Sequence, residues 1–390
     1  MVNPLNAPKS SSPTAGGLGV SALARPGGRS SVSGIVATVF GGSGFLGRYV
    51  VNHLGRIGSQ VITPYRGDGM NVRHLKLAGD LGQIVPIPYD LTDVESIRRC
   101  VARSNVVINL VGCKRETNHF TYDDVHMKVA YRLAQVSKSM GVERFIQVSA
   151  LGADANSDSE FFRSKAAGEQ AVRDFYPDAT IIRPSVTFGP QDHFIQYYAF
   201  VGQKFVSVPM TRNGERKIQP VFVGDVARAI LNAIADPSAK GQIYELAGPD
   251  VMKEADIFPL ISKHTGAEIK PHYFSDPVAR LYGHVIGGRR GINMNIDSKL
   301  FALGPVFNAL GHLLNKASLP TVYNPDMVAQ AHTDLVASGK FPGLAELGVD
   351  VAMPLEGQLD RILFAHRPVS QDRFPFAEQM KRDASNNASY

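Results

Sequence analysis

The 390-residue chain contains two cysteines, Cys100 and Cys113, and no tryptophan. Two cysteines cannot build a disulfide framework, and no Cys/His cluster has the spacing of a zinc site. No run of roughly 20 mostly apolar residues, the length a membrane-crossing helix needs, is present. No Lys/Arg run is longer than two residues and the formal net charge is only +6, so nucleic acid is not expected as a partner. Acid is missing from the whole N-terminal stretch: the first carboxylate is Asp68. Residues 1–33 are rich in Ser, Gly and Pro, with Lys9, Arg25 and Arg29 as their only charges. That composition fits either an organelle-targeting segment or a disordered tail, and neither belongs to the fold.

At 44% apolar and 19% charged residues, the chain as a whole has the composition of a folded protein. Short apolar runs at 35–40, 60–65, 84–88, 106–111, 144–149 and 180–183 read as strands. Between them, 45–57, 94–103, 122–140 and 161–175 have helical periodicity. Strand and helix alternating with short connections predict an α/β fold, a Rossmann-type doubly wound parallel sheet whose strands are buried on both faces. The segment 220–235 is expected to be a strand-to-helix step capped by Asp225, and 242–246 one more strand. From Tyr197 the regularity falls away. The expected organisation is a dinucleotide-binding domain over 34–250, with 190–235 contributing to a smaller lobe. An irregular α/β region for docking is expected over 251–373, and a tail over 374–390. The apolar stretch 300–314 is too short to span a bilayer and reads as a core helix or an interfacial one.

The strongest local signal is Gly41-Gly42-Ser43-Gly44-Phe45-Leu46-Gly47, following an apolar strand and opening an amphipathic helix. In such a loop Gly41 permits the tight turn, Gly44 lets a pyrophosphate approach the backbone, and Gly47 allows close packing. The free amides at the helix start, with the positive end of its dipole, then hold the phosphates. A Walker loop is excluded because Arg48-Tyr49 stands where Lys and Ser/Thr are required. A nucleophile elbow is excluded by the missing final glycine. Nineteen residues after Gly47 the second strand ends in Arg66, where an NAD site usually carries an acid. A guanidinium there suits a 2′-phosphate, so NADPH is the expected cofactor.

Further along, Asp90-Leu91-Thr92-Asp93, Asn109-Leu110-Val111-Gly112, Arg183-Pro184-Ser185 and Pro220-Val221-Phe222-Val223-Gly224-Asp225 accompany the glycine loop. Together these resemble the extended and atypical short-chain dehydrogenase/reductases over roughly 34–250. The resemblance implies that Asp90 and Leu91 flank the adenine. It puts Asn109, Leu110, Val111 and Gly112 near the ribose and pyrophosphate, and Pro184 and Ser185 near the nicotinamide. The runs Ser33–Gly41, Gly44–Arg56 and Gly58–Asp68 are similar to one family in particular, the nucleotide-binding accessory subunit of mitochondrial respiratory complex I. That resemblance implies a place on the matrix side of the inner membrane, other complex I subunits as partners, and tightly held NADPH outside the electron-transfer chain.

Active short-chain dehydrogenases use a Tyr-x-x-x-Lys pair, one helical turn apart. Here Lys165 is present, but the position four before it is Phe161, which has no hydroxyl to donate. Lys165 is then expected to hold the ribose by a charge-assisted hydrogen bond, with Glu169 four residues on as an alternative partner. Ser149, ending the fifth strand, is either the remaining serine of a catalytic set or a strand-end hydroxyl. Tyr122 and Tyr131 could supply a phenol from a neighbouring helix. His53, His119 and His126 have no partner at ligand spacing. The leading expectation is a non-catalytic subunit that keeps its cofactor; an active NADPH-dependent reductase and an NADPH-sensing binding module are the alternatives.

Overall fold

The computed structural model describes residues 33–280 and 325–367, apart from residues 118 and 206. The expected segment 300–314, the residues before 33 and those after 367 lie outside it. Seven strands form one sheet: β1 (Val36–Phe40), β2 (Gln60–Tyr65), β3 (Ile84–Pro88), β4 (Val106–Asn109), β5 (Arg144–Val148), β6 (Thr180–Pro184) and β7 (Ile243–Leu246). Their order is β7-β6-β5-β4-β1-β2-β3 and every pairing is parallel. The chain reverses direction across the sheet between β1 and β4, where Val39 pairs with Ile108 and Phe40 with Asn109. In open parallel sheets, a ligand crevice forms beyond the strand ends at such a switch point.

The connecting helices are α1 (Phe45–Arg56), α2 (Val94–Val101), α3 (Val129–Ser139) and α4 (Glu160–Phe175). The expected helix over 122–140 begins as a π-helical turn, Asp124–Lys128. Helix α5 (Ile195–Phe205) lies where the sequence loses its period, followed by α6 (Val223–Ala235) and α7 (Ile257–Thr265). The short helices α8 (Pro325–Gln330) and α9 (Glu356–Ile362) complete the described chain. Helices α1 and α6 cover one face of the sheet, burying Val50, Val51, Leu54, Val226, Ile230 and Ile234. On the other face α2, α3 and α4 bury Ile97, Leu133 and Val172 against Phe40, Val107 and Phe145. Asp93 starts α2 by accepting from the amides of Glu95 and Ser96 at 2.9 and 3.2 Å.

Asp225 does not cap α6. The helix begins two residues earlier, after the extended Phe222, and the carboxylate lies buried in the first turn, where it accepts from the Met353 amide at 2.8 Å. At the helix's other end the buried Arg144 guanidinium donates to the carbonyls of Ala233 and Asp236, meeting the negative end of the dipole.

Both sheet edges are protected. On β3, Pro86 and Pro88 remove donors from the open side. On β7, the Glu245 amide donates to the Pro342 carbonyl at 2.9 Å, so the C-terminal stretch covers that edge. Leu344, Leu347 and Val349 from this stretch enter the same core as α1 and α6. A second core joins Phe188, Ile195, Met210, Ile218, Phe258 and Ile261 of the small lobe to Leu335, Leu359 and Ile362.

Candidate dinucleotide site

The glycine loop follows β1 directly. Gly41 has φ +80° and Gly44 donates its amide to the Gly41 carbonyl at 3.0 Å, closing a tight turn. A Cβ on Gly47 would stand 2.3 Å from the Gly41 carbonyl oxygen, so helix and loop pack there with no room for a side chain. A Cβ on Gly44 would meet only that same oxygen, at 3.2 Å, and Ser43 and Gly44 are exposed. Gly44 is the N-cap of α1 and no side chain caps the helix. The amides of Phe45, Leu46 and Gly47, which have no intrahelical acceptor, therefore start the helix without a side-chain partner.

From β4, Asn109 is buried and its side chain is spent internally. Its amide group donates to Gln147 at 2.8 Å, and its carbonyl oxygen accepts from the Val111 amide at 3.0 Å. This bends the chain so that the Leu110 backbone lies against Gly41 and Gly112 comes to the surface. Lys165 reaches the same place from α4: its Nζ is 3.3 Å from where a Gly112 Cβ would be. Ser149, just after β5, is buried and its hydroxyl has no hydrogen-bond partner among the described residues. Arg66, after β2, is exposed, and its guanidinium lies 5.7 Å from the centre of the Phe120 ring.

Other candidates are less available. The Asp90 carboxylate accepts from the amide and hydroxyl of Thr92, both at 2.6 Å, which holds it below the usual carboxylate range. Leu91 is buried in the core under α2 and α3. Pro184 ends β6, and its carbonyl accepts from the Leu151 amide. The buried Ser185 hydroxyl donates to the Leu335 carbonyl at 3.2 Å.

Around Lys165 the chemistry is unusual. Its amine has no hydrogen bond or ion pair among the described residues and lies 5.8 Å from the centre of the Phe161 ring. Burial pushes its pKa down to about 8, outweighing the opposing pull of Cys113 and Glu169. Glu169 does not pair with it. Both carboxylate oxygens take Arg183, from Nε at 2.9 Å and from a terminal nitrogen at 2.6 Å. Helical spacing offered only Lys165 as a partner of Glu169; Arg183 comes to it from the following strand β6, 14 residues on.

His126 is the functional neighbour that sequence left unassigned. It sits buried in the π-helical turn, where Nε2 accepts from the Cys113 amide at 3.1 Å and Nδ1 is 2.8 Å from the Ser164 hydroxyl. Burial and the Lys165 charge push its pKa down to about 2, so it is a neutral strut joining the loop after β4 to α4. Tyr122 stacks on its ring, and the phenol donates to the Lys114 carbonyl at 3.0 Å. Tyr131 packs against Phe175 instead. Neither phenol bonds to Lys165. An open groove of about 930 Å³ runs along α4, lined by Glu160, Arg163, Ala167 and Arg173 and also by Tyr122, Glu169 and Arg183; the glycine loop, Arg66, Ser149 and Lys165 do not border it.

A glycine loop at the switch point of a parallel sheet, faced by the lysine of the fourth helix, defines a class: the NAD dependent epimerase/dehydratase proteins, whose family model matches residues 37–247. The solved structure of UDP-glucuronic acid 4-epimerase from Bacillus cereus, in complex with UDP-glucuronic acid and NAD, shares this fold. Its TM-score is 0.54 at 16% identity, over 62% of this chain and 86% of the epimerase. More specifically, the chain belongs to the family of the mitochondrial NADH dehydrogenase (ubiquinone) 1 alpha subcomplex subunit 9. It is 42% identical to the Mus musculus protein of that name over 342 residues, 87% of this chain and 83% of the mouse protein. It is also 36% identical to the mitochondrial NADH-ubiquinone oxidoreductase 40 kDa subunit of Neurospora crassa, over 84% of this chain and 78% of the fungal one.

Proposed function

We propose that this chain is a non-catalytic accessory subunit of mitochondrial complex I that holds NADPH as a structural group. In this reading it supports the assembly and stability of the complex from the matrix side of the inner membrane. Its partners are other subunits of that complex, with a peripheral contact to the membrane. The relatives' names support the assembly. The observation that carries the inert cofactor is the Lys165 amine, without a partner, beside a phenylalanine ring rather than a phenol.

The residues present fit a dinucleotide. The buried Ser149 hydroxyl lacks a partner, the Lys165 amine lacks an acceptor among the described residues, and Gly44 leaves the start of α1 open. When bound, NADPH brings a transferable hydride on its nicotinamide ring. The chain's own groups bind and orient it. The first amides of α1 hold the pyrophosphate, the backbone from Leu110 to Gly112 lines the ribose, and Lys165 donates to ribose hydroxyls. Arg66 takes the 2′-phosphate. Arg66→Ala is accordingly expected to weaken NADPH binding about 10- to 100-fold and to leave NADH binding unchanged in a fluorescence titration. Equal loss for both nucleotides would remove Arg66 from the phosphate site.

Retention without turnover has a physical use, because a ligand that binds only the folded state stabilises it by about 4 kcal/mol at a thousandfold excess over its Kd. Melting curves with and without NADPH test this, and identical curves would contradict it. The active-reductase reading requires a proton donor next to Lys165, and Tyr122 is committed to Lys114. Phe161→Tyr is expected to give NADPH oxidation with a panel of aldehydes and ketones, where the natural chain gives none. Removing a general acid costs about 10²–10⁴ in rate. Equal turnover by both proteins would favour the reductase.

A further inference from the structure

Helix α4, which carries both Phe161 and Lys165, is held at its start by a residue far along the chain. Ser159 is its N-cap, with the hydroxyl 3.5 Å from the Phe162 amide. The amides of Glu160 and Phe161 donate instead to the Asp326 carboxylate, at 2.8 and 3.3 Å. The Ser159 hydroxyl and the Gln330 side-chain amide donate to the same carboxylate, each at 2.9 Å. An anion supplied by α8 thus occupies the positive end of the α4 dipole and satisfies two otherwise orphaned amides.

The stretch that follows α8 is fixed independently. The Leu335 amide donates to the Lys217 carbonyl at 2.8 Å, and the Leu335 carbonyl accepts from the Gln219 amide at 2.9 Å. Arg216 Nε donates to the Thr333 carbonyl at 2.9 Å. Asp326 therefore comes from an anchored support, and that support also bonds Ser185 at the end of β6.

We infer that Asp326 is a positioning residue of the dinucleotide site, acting through the first turn of α4 on Phe161 and Lys165. The inference rests on the reading of this site as an NADPH holder. Asp326 accepts from the Phe161 amide, and the Phe161 ring is wedged edge-on against Tyr122 and His126. The Lys165 amine lies over that ring one turn later, next to Gly112. Loss of the carboxylate frees two amides, lets the first turn fray, and removes the support that keeps the amine aimed at the ribose position. Binding linkage makes the effect reciprocal: bound NADPH strengthens the docking of residues 326–336.

The test is NADPH titration of the full chain, well below its melting temperature, with the Asp326→Ala and Asp326→Asn variants. Asp326→Ala is expected to raise the Kd about tenfold, and Asp326→Asn, which keeps an acceptor oxygen, to restore most of the affinity. In the natural chain NADPH is expected to slow hydrogen exchange at the amides of 326–336. That measurement stands alone if Asp326→Ala does not fold. A lower melting temperature with unchanged Kd would reduce Asp326 to a helix cap and overturn the inference. So would unchanged exchange at 326–336 in the NADPH-bound chain. A natural chain that does not bind NADPH at all would overturn the underlying reading together with this one.

Discussion

Replacing Lys165 by methionine is expected to make the dinucleotide-free protein more stable and to cost it most of its affinity for NADPH. The Lys165 residue is half-buried, and burial puts the pKa of its amine at about 8 rather than 10.5, so the folded state carries a desolvated cation. Between pH 8 and 10.5 the unfolded chain holds more protons than the folded one, and stability therefore rises with pH across that window. Below pH 8 the full penalty is present. Methionine fills similar space without a charge, so Lys165→Met should gain about 2 kcal/mol at pH 7. Its stability should also lack the rise that the natural chain shows above pH 8. The same change removes the charge-assisted hydrogen bond proposed to the ribose, and NADPH affinity should fall about 10- to 100-fold. Denaturant titrations at several pH values, paired with a binding isotherm, read both effects. A variant that is less stable without nucleotide, or that binds as before, would show that the amine serves the fold.

Gly47→Ala is expected to cost both stability and affinity for NADPH. The added carbon would lie 2.3 Å from the Gly41 oxygen and 2.7 Å from the Gly42 backbone, and neither neighbour is a flexible side chain. Loop and helix must separate, at about 1–3 kcal/mol, and the amides of α1 lose their aim. NADPH affinity should fall by at least about a hundredfold. Gly44→Ala supplies the contrast. Gly44 has φ −70°, which alanine adopts freely, and the new methyl would meet one carbonyl oxygen at 3.2 Å. Its melting temperature should stay close to that of the natural chain while NADPH binding is lost, because the methyl stands in the proposed path of the pyrophosphate. If Gly44→Ala bound NADPH normally, the phosphates would lie elsewhere.

The doubly wound sheet was readable because its strands are buried on both faces and so appear as short apolar runs. Gln60–Tyr65 and Ile84–Pro88 match their expected bounds, and the others differ by one or two residues at an end. The glycine loop was equally readable, since its turn is local: Gly44 and Gly47 both pack against Gly41, although Gly41 itself lies against the distant Leu110 backbone. The small lobe was not, because it is held by two-residue strands such as Lys217–Ile218 and Val221–Phe222, too short for any period. Asp225 misled because an acid near a helix start suits both a cap and the first turn, and only the distant Met353 amide decides between them. Asn109 lay in the expected motif, yet its side chain serves the turn after β4 and not an open surface. The partners of Glu169 and of the α4 amides were invisible for one reason. Arg183 and Asp326 reach them across space, 14 and 166 residues away in sequence.

The central claim is that the dinucleotide is kept and not consumed. The most direct measurement is a native gel of detergent-solubilised mitochondrial membranes. The chain is followed by mass spectrometry, and NADPH is assayed in each band before and after turnover with NADH. The account predicts that the chain migrates with NADH dehydrogenase activity and that its bound NADPH is the same in amount and redox state after turnover. A chain found as a small species away from that activity, or one whose NADPH is absent or oxidised after turnover, would contradict it.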